Sequence, residues 1–129
     1  MSDKKVLVVD DEIHIVHVVA IKLRNNGYTV ITAENGAQAL ELACREKPDI
    51  IITDLQMPVM SGLELVEKLR QNEVTKSIPV VMLTARSFAV EDEQKQSLQI
   101  SECLSKPFSP KELLKIIDDV LYQKPVHRS

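Results

Sequence analysis

The chain has 129 residues, 16 Lys plus Arg against 19 Asp plus Glu, a formal net charge of −3, and 44% hydrophobic with 27% charged residues. That is the composition of an ordinary globular domain, long enough to bury roughly two thirds of its chain surface, and it excludes a disordered chain. A charge of −3 without a Lys/Arg block, together with no Trp, two Tyr and two Phe, argues against a nucleic-acid surface or a base-stacking platform.

The first apolar run, Val6-Leu7-Val8-Val9, meets Asp10 and Asp11 too soon to be a secretory core or a membrane span, so a cytoplasmic location and no membrane partner are expected. The run reads as a buried strand. A helix over residues 12–26 follows, with Val16, Val19, Ala20 and Leu23 on one stripe and Gly27 as its stop. Residues 29–32 form a more polar strand suited to a sheet edge, and Asn35-x-x-Gln38 starts a second helix. Residues 50–52 and 78–83 are continuous apolar strands, as expected where helices cover both faces of a parallel sheet. Between them Ser61-x-x-Glu64 caps a third helix. The segment 88–99 is a polar fourth helix with little to hold it down, and it is expected to be the most mobile. Cys103-Leu104-Ser105 is a short fifth strand, and Ser109-Pro110-Lys111-Glu112 opens a last helix striped by Leu113, Ile116, Ile117 and Val120. Cys44 and Cys103 follow no metal spacing and should be free thiols.

Strands alternating with helices and no linker between them predict one α/β domain with a doubly wound, five-stranded parallel sheet. Its core spans about residues 4–122, and 123–129 are a tail or linker stub. Sites in such sheets form outside the carboxyl ends of the strands. There the chain places Asp10, Asp11 and Glu12, then Asp54, Thr84 and Lys106. Carboxylates gathered at one rim repel by roughly 4 kcal/mol per close pair at an effective dielectric near 20, so a cation is implied. All-oxygen ligation points to Mg²⁺ or Mn²⁺. Three carboxylates, a metal, a Lys and a hydroxyl make a site for a phosphoryl group. Asp54 is the natural nucleophile: it is ionised at neutral pH, and the turn after it is expected to leave its carboxylate open to solvent.

The run Val-Val-Asp10-Asp11-Glu12, Asp54-Leu-Gln-Met-Pro-Val-Met-Ser-Gly62, Leu-Thr84-Ala85 and Lys106-Pro107-Phe108 resembles the receiver domain of two-component response regulators, from Lys5 to about Leu121. The resemblance implies a flavodoxin-like sheet of order 2-1-3-4-5 and Asp54 as phosphoacceptor. The donor would be a sensor histidine kinase or a phosphotransfer protein. It implies Asp10, Asp11, Asp54 and the Gln56 carbonyl as Mg²⁺ ligands, and Thr84, Ala85 and Lys106 around the phosphoryl group. The Lys106-Pro107 peptide would be cis, and Gln56 and Arg86 would tune dephosphorylation. Output would pass from the surface of the fourth helix, fifth strand and fifth helix to an effector protein or a fused output domain. The 129 residues are expected to be taken up by one receiver, with no DNA-binding domain among them.

The sequence departs from that family at Cys103, where an aromatic ring usually takes part in switching with the Thr. The family's Gly-Ala-Asp-Asp stretch is absent before it, and residues 98–102 are Leu-Gln-Ile-Ser-Glu. Output through rearrangement of the polar fourth helix is expected instead. His14 and His17 read as exposed helix residues, Met57 and Met60 as turn and packing residues, and Lys111, Lys115, Asp118 and Asp119 as a solvated face. Two other functions compete. A degenerate receiver acting only as an interaction module is disfavoured by the complete acid, hydroxyl and Lys set. A phosphohydrolase with an aspartyl-phosphate intermediate is disfavoured because Gln56 stands where that chemistry usually has a second acid.

Overall fold

Parity organises the molecule. In a strand, successive side chains point to opposite faces, so an uninterrupted apolar run must be covered on both sides. The computed structural model describes residues 4–57, 59–85 and 92–122. Its elements run β1 (Lys5–Val9), α1 (Ile13–Asn25), β2 (Thr29–Ala33), α2 (Gly36–Glu46), β3 (Ile50–Asp54), α3 (Gly62–Arg70), β4 (Val80–Thr84), α4 (Asp92–Ser97), β5 (Ile100–Ser105) and α5 (Pro110–Leu121). All strand pairs are parallel, in the order β2-β1-β3-β4-β5, which is the flavodoxin-like order.

Val6, Val8, Ile50, Ile52, Val81 and Leu83 pack with Val16, Val19 and Leu23 of α1 and with Leu113 and Ile117 of α5. Their alternates Leu7, Val9, Ile51, Val80 and Met82 pack with Ala39 and Ala43 of α2 and with Leu65, Val66 and Leu69 of α3. Full burial of each large side chain stabilises the fold by about 1.5–3 kcal/mol. The edge strands differ, as the sequence predicted for β2: Thr29 and Thr32 are exposed while Val30 and Ala33 are buried.

The helix starts fall where the caps placed them. Asn35 accepts the Gln38 amide, and Ser61 with Glu64 and Ser109 with Glu112 form reciprocal capping boxes. Gly27 ends α1 at φ 93°, a left-handed conformation that glycine adopts without a Cβ penalty. Both cysteines are free.

Several boundaries differ from the sequence expectation. β4 starts at Val80 rather than at residue 78, because the Ile78 amide turns back to donate to the Thr75 carbonyl. β5 begins at Ile100, ahead of the apolar triplet; a register irregularity between Val80 and Val81 takes up Ser101, and Glu102 stands opposite Val81. α4 covers Asp92–Ser97 and buries no side chain, while the expected stretch before it, 88–91, lies outside the described residues, as does 123–129. Asp118 is not simply part of a solvated face: it accepts a hydrogen bond from the Tyr28 hydroxyl, tying the start of β2 to α5.

Candidate functional site

The carboxyl ends of the strands bring the polar residues to one rim. Asp10 follows β1, Asp54 and Thr84 are the last residues of β3 and β4, and Lys106 follows β5. Backbone bonds from the Asp10 amide to the Ala33 carbonyl and from the Lys106 amide to the Thr84 carbonyl, 3.3 and 2.7 Å, extend the sheet into the site. Asp10, Asp54 and Thr84 are 0%, 6% and 3% exposed, whereas Asp11, Glu12 and Gln56 are exposed.

The Lys106 ammonium stands at the centre of the acids. Its Nζ lies 3.0 Å from Asp10 Oδ2, 3.3 Å from Asp54 Oδ1 and 2.8 Å from Glu12 Oε1. Burial alone would lower the Lys106 pKa, but the hydrogen bonds and charges of Glu12, Asp10 and Asp54 hold it above the ordinary Lys value. Burial raises the Asp10 pKa against the opposing Glu12 amide and Lys106. Burial, then the charge of Asp10, pushes Asp54 up to about 6. Glu12 moves the other way, held low by its hydrogen bond to Lys106.

The expected solvent-open Asp54 is corrected: its carboxylate is buried. The turn after it folds back, with the Gly62 amide donating to the Leu55 carbonyl at 2.8 Å. A Cβ on Gly62 would strike the Asp54 carbonyl oxygen and sit 2.9 Å from Met82 Sδ, so only glycine admits this approach. Whether a carboxylate is exposed depends on where the chain returns, which no local pattern encodes.

One oxygen each from Asp10, Asp11 and Asp54 lies within 4.8 Å of the others. Asp10 Oδ1 accepts the Glu12 amide at 3.0 Å, and the fully buried Asp10 Oδ2 faces the Lys106 ammonium at 3.0 Å. Three carboxylates converging on one point, two of them buried and facing a single ammonium, suit a hard divalent ion.

Beside Lys106 an apolar groove of about 490 Å³ runs between α1 and the β5–α5 turn, lined by Ile15, Val18, Ala85, Pro107 and Phe108 among others. The Lys106–Pro107 peptide is cis, as the sequence led one to expect. Cys103 is half-buried on β5 opposite Met82, and burial raises its thiol pKa. Arg86 lies outside the described residues. His14 and His17 are exposed on α1. Sequence reasoning had set Glu12 among the rim acids without identifying it as a partner of Lys106, since a contact across 94 positions has no local signal.

Residues 6–118 match the family model of the response regulator receiver domain. The phosphate regulon transcriptional regulatory protein PhoB of Pseudomonas aeruginosa is 40% identical over 94% of this chain and 53% of its own length. The alkaline phosphatase synthesis transcriptional regulatory protein PhoP of Bacillus subtilis is 40% identical over 86% of this chain and 45% of its own. The chain thus spans about half the length of these two regulators. The chemotaxis protein CheY4 of Vibrio cholerae superposes with a TM-score of 0.85 at 38% identity, covering 93% of this chain and 100% of that one. The receiver domain of the P. aeruginosa sensor histidine kinase PA1611, solved with a magnesium ion in its active-site cleft, matches at TM-score 0.83 and 28% identity over 95% of this chain and 100% of that one. With its rim of acids, its sheet order and these matches, the chain belongs to the response regulator receiver domain family.

Proposed function

We propose that Asp54 accepts a phosphoryl group from the phosphohistidine of a sensor kinase or phosphotransfer protein, and that the whole chain acts as one receiver unit in the cytoplasm. The observation that carries this reading is the placement of Lys106 Nζ 3.3 Å from Asp54 Oδ1 beside the three clustered Asp carboxylates. An Asp54 oxygen attacks phosphorus, the P–N bond breaks, and its electron pair leaves with the imidazole, giving an acyl phosphate. Asp10, Asp11, Asp54 and the Gln56 carbonyl would hold Mg²⁺, which when bound would supply charge neutralisation for the phosphoryl oxygens. Lys106 follows the same charge, and Thr84 with Ala85 offers the remaining contacts. An Asp54 pKa near 6 still leaves most of the carboxylate ionised at pH 7.

The groove beside Lys106, lined by Ile15 and by Val18 of α1, which is 50% exposed, offers the donor protein an apolar surface. Gln56 and Arg86 tune the lifetime of the acyl phosphate. Output passes through α4, β5 and α5 to an effector protein or output domain, and Cys103 in place of a ring shifts the switch toward rearrangement of α4.

Incubation with acetyl phosphate and Mg²⁺, followed by intact mass, tests the reading. A stable one-phosphoryl adduct, absent in Asp54→Asn, supports it. Absence of any adduct points to an interaction module, and turnover of many donor equivalents points to a phosphohydrolase.

A further inference from the structure

The loop from Asp54 to α3 has a second support outside the acid cluster. α2 begins at Gly36, immediately after its cap Asn35, and Gly36 is buried. A Cβ at Gly36 would lie 2.8 Å from Met60 Sδ, 2.9 Å from Met60 Cβ and 3.0 Å from Met60 Cγ. Rotating the thioether away relieves the first clash but not the second, because the Met60 Cβ moves only with the loop backbone. That backbone has little slack. Val59, the neighbour of Met60, sits at φ 72°, and past Ser61 the Gly62 amide is bound to the Leu55 carbonyl at 2.8 Å. Gly62 itself leaves no room for a Cβ beside the Asp54 carbonyl oxygen. A push on Met60 therefore acts on the backbone that joins Asp54 to α3.

We propose that Gly36 is a positioning residue: the space left by its missing side chain seats Met60, and this seat sets how the chain leaves the acid cluster at Asp54. The proposal rests on the receiver reading above. It makes an unusual demand on helix propensity. Alanine is the better helix former at the first position of α2, so with no steric coupling Gly36→Ala should leave the fold firmer and the site unchanged.

The test is a double-mutant cycle on the full chain, comparing Gly36→Ala in the native background and in Met60→Ala. Each protein is titrated with Mg²⁺ alone by calorimetry and labelled with acetyl phosphate, and amide shifts are recorded without metal. In the native background Gly36→Ala should weaken Mg²⁺ binding and slow labelling by roughly five-fold or more, since ångström-scale misplacement is costly. Its shift changes should concentrate in residues 54–62. In the Met60→Ala background the same substitution should change both by less than about two-fold. Equal effects in the two backgrounds, or none in the native one, overturn the proposal. If Gly36→Ala alone does not fold, the Met60→Ala background decides: an unimpaired double variant supports the proposal and an impaired one overturns it. If the unsubstituted protein binds Mg²⁺ but takes no phosphoryl group, the receiver reading fails, while the Mg²⁺ arm still judges Gly36.

Discussion

Asp54 is held charged at a cost, and the cost has a measurable sign. Its folded pKa of about 6 lies above its unfolded value, so between about pH 4 and 6 the folded state binds more protons than the unfolded one. Stability from this group is therefore highest below about pH 4 and falls as pH rises through 6, a loss of order 2–3 kcal/mol at neutrality. Asp54→Asn removes that cost, and Lys106 keeps Asp10 and Glu12 within 3.0 and 2.8 Å. Without divalent ions the Asn variant should be more stable than the native chain by about 2 kcal/mol at pH 7, and the difference should shrink toward pH 4. Urea melts at several pH values check this, and a difference that does not vary with pH would contradict it. Val59 is a second strained residue, β-branched at φ 72° and 90% exposed. Asn tolerates that region with no burial to lose, so Val59→Asn should raise stability by about 1 kcal/mol, seen as a melting point higher by about 3–5 °C.

Elements were legible in the sequence wherever their signals were local. The caps at Asn35, Ser61 and Ser109, the stop at Gly27 and the stripe of α1 all reappear where side-chain chemistry placed them. The order of Asp10, Asp54, Thr84 and Lys106 at strand ends was legible too, because a parallel sheet brings those ends to one rim. What stayed hidden depends on distant backbone. Arg70, at the end of α3, donates to the carbonyls of Leu98 at 2.7 Å, Ile78 at 2.8 Å, and Lys76 and Gln99 at 3.1 Å. Carbonyl partners leave no trace in residue identity, so nothing in the sequence singles out Arg70. It clamps the turn between α4 and β5, where Gln99 is at φ 56°. Lysine cannot reproduce the planar fork, so Arg70→Lys should cost about 2 kcal/mol and raise exchange at the amides of β5 more than at those of β1. The amides of α4, which buries no side chain, should exchange faster than those of α1 in the native chain.

Across the whole molecule, the two covered faces make a rigid frame, and the acid rim is where that frame is left electrostatically incomplete. No helix among the described residues is long and apolar enough to cross a membrane. Asp11 separates the frame from the metal more cleanly than its neighbours. It is exposed, whereas Asp10 and Asp54 are buried and bound into the Lys106 network. Replacing an exposed carboxylate by its amide leaves the metal-free fold within about 0.5 kcal/mol of native. An ion that binds only the folded state adds RT ln(1 + [L]/Kd), about 2.7 kcal/mol at a hundred times Kd. Asp11→Asn should therefore melt with the native chain in chelator, yet gain less than about 1.4 kcal/mol at that same Mg²⁺ concentration if its affinity drops tenfold or more. Parallel melts with chelator and with Mg²⁺ measure both quantities. Equal gains in the two proteins would remove Asp11 from the ligand set, whereas a loss already present in chelator would give it a structural role that its exposure does not predict.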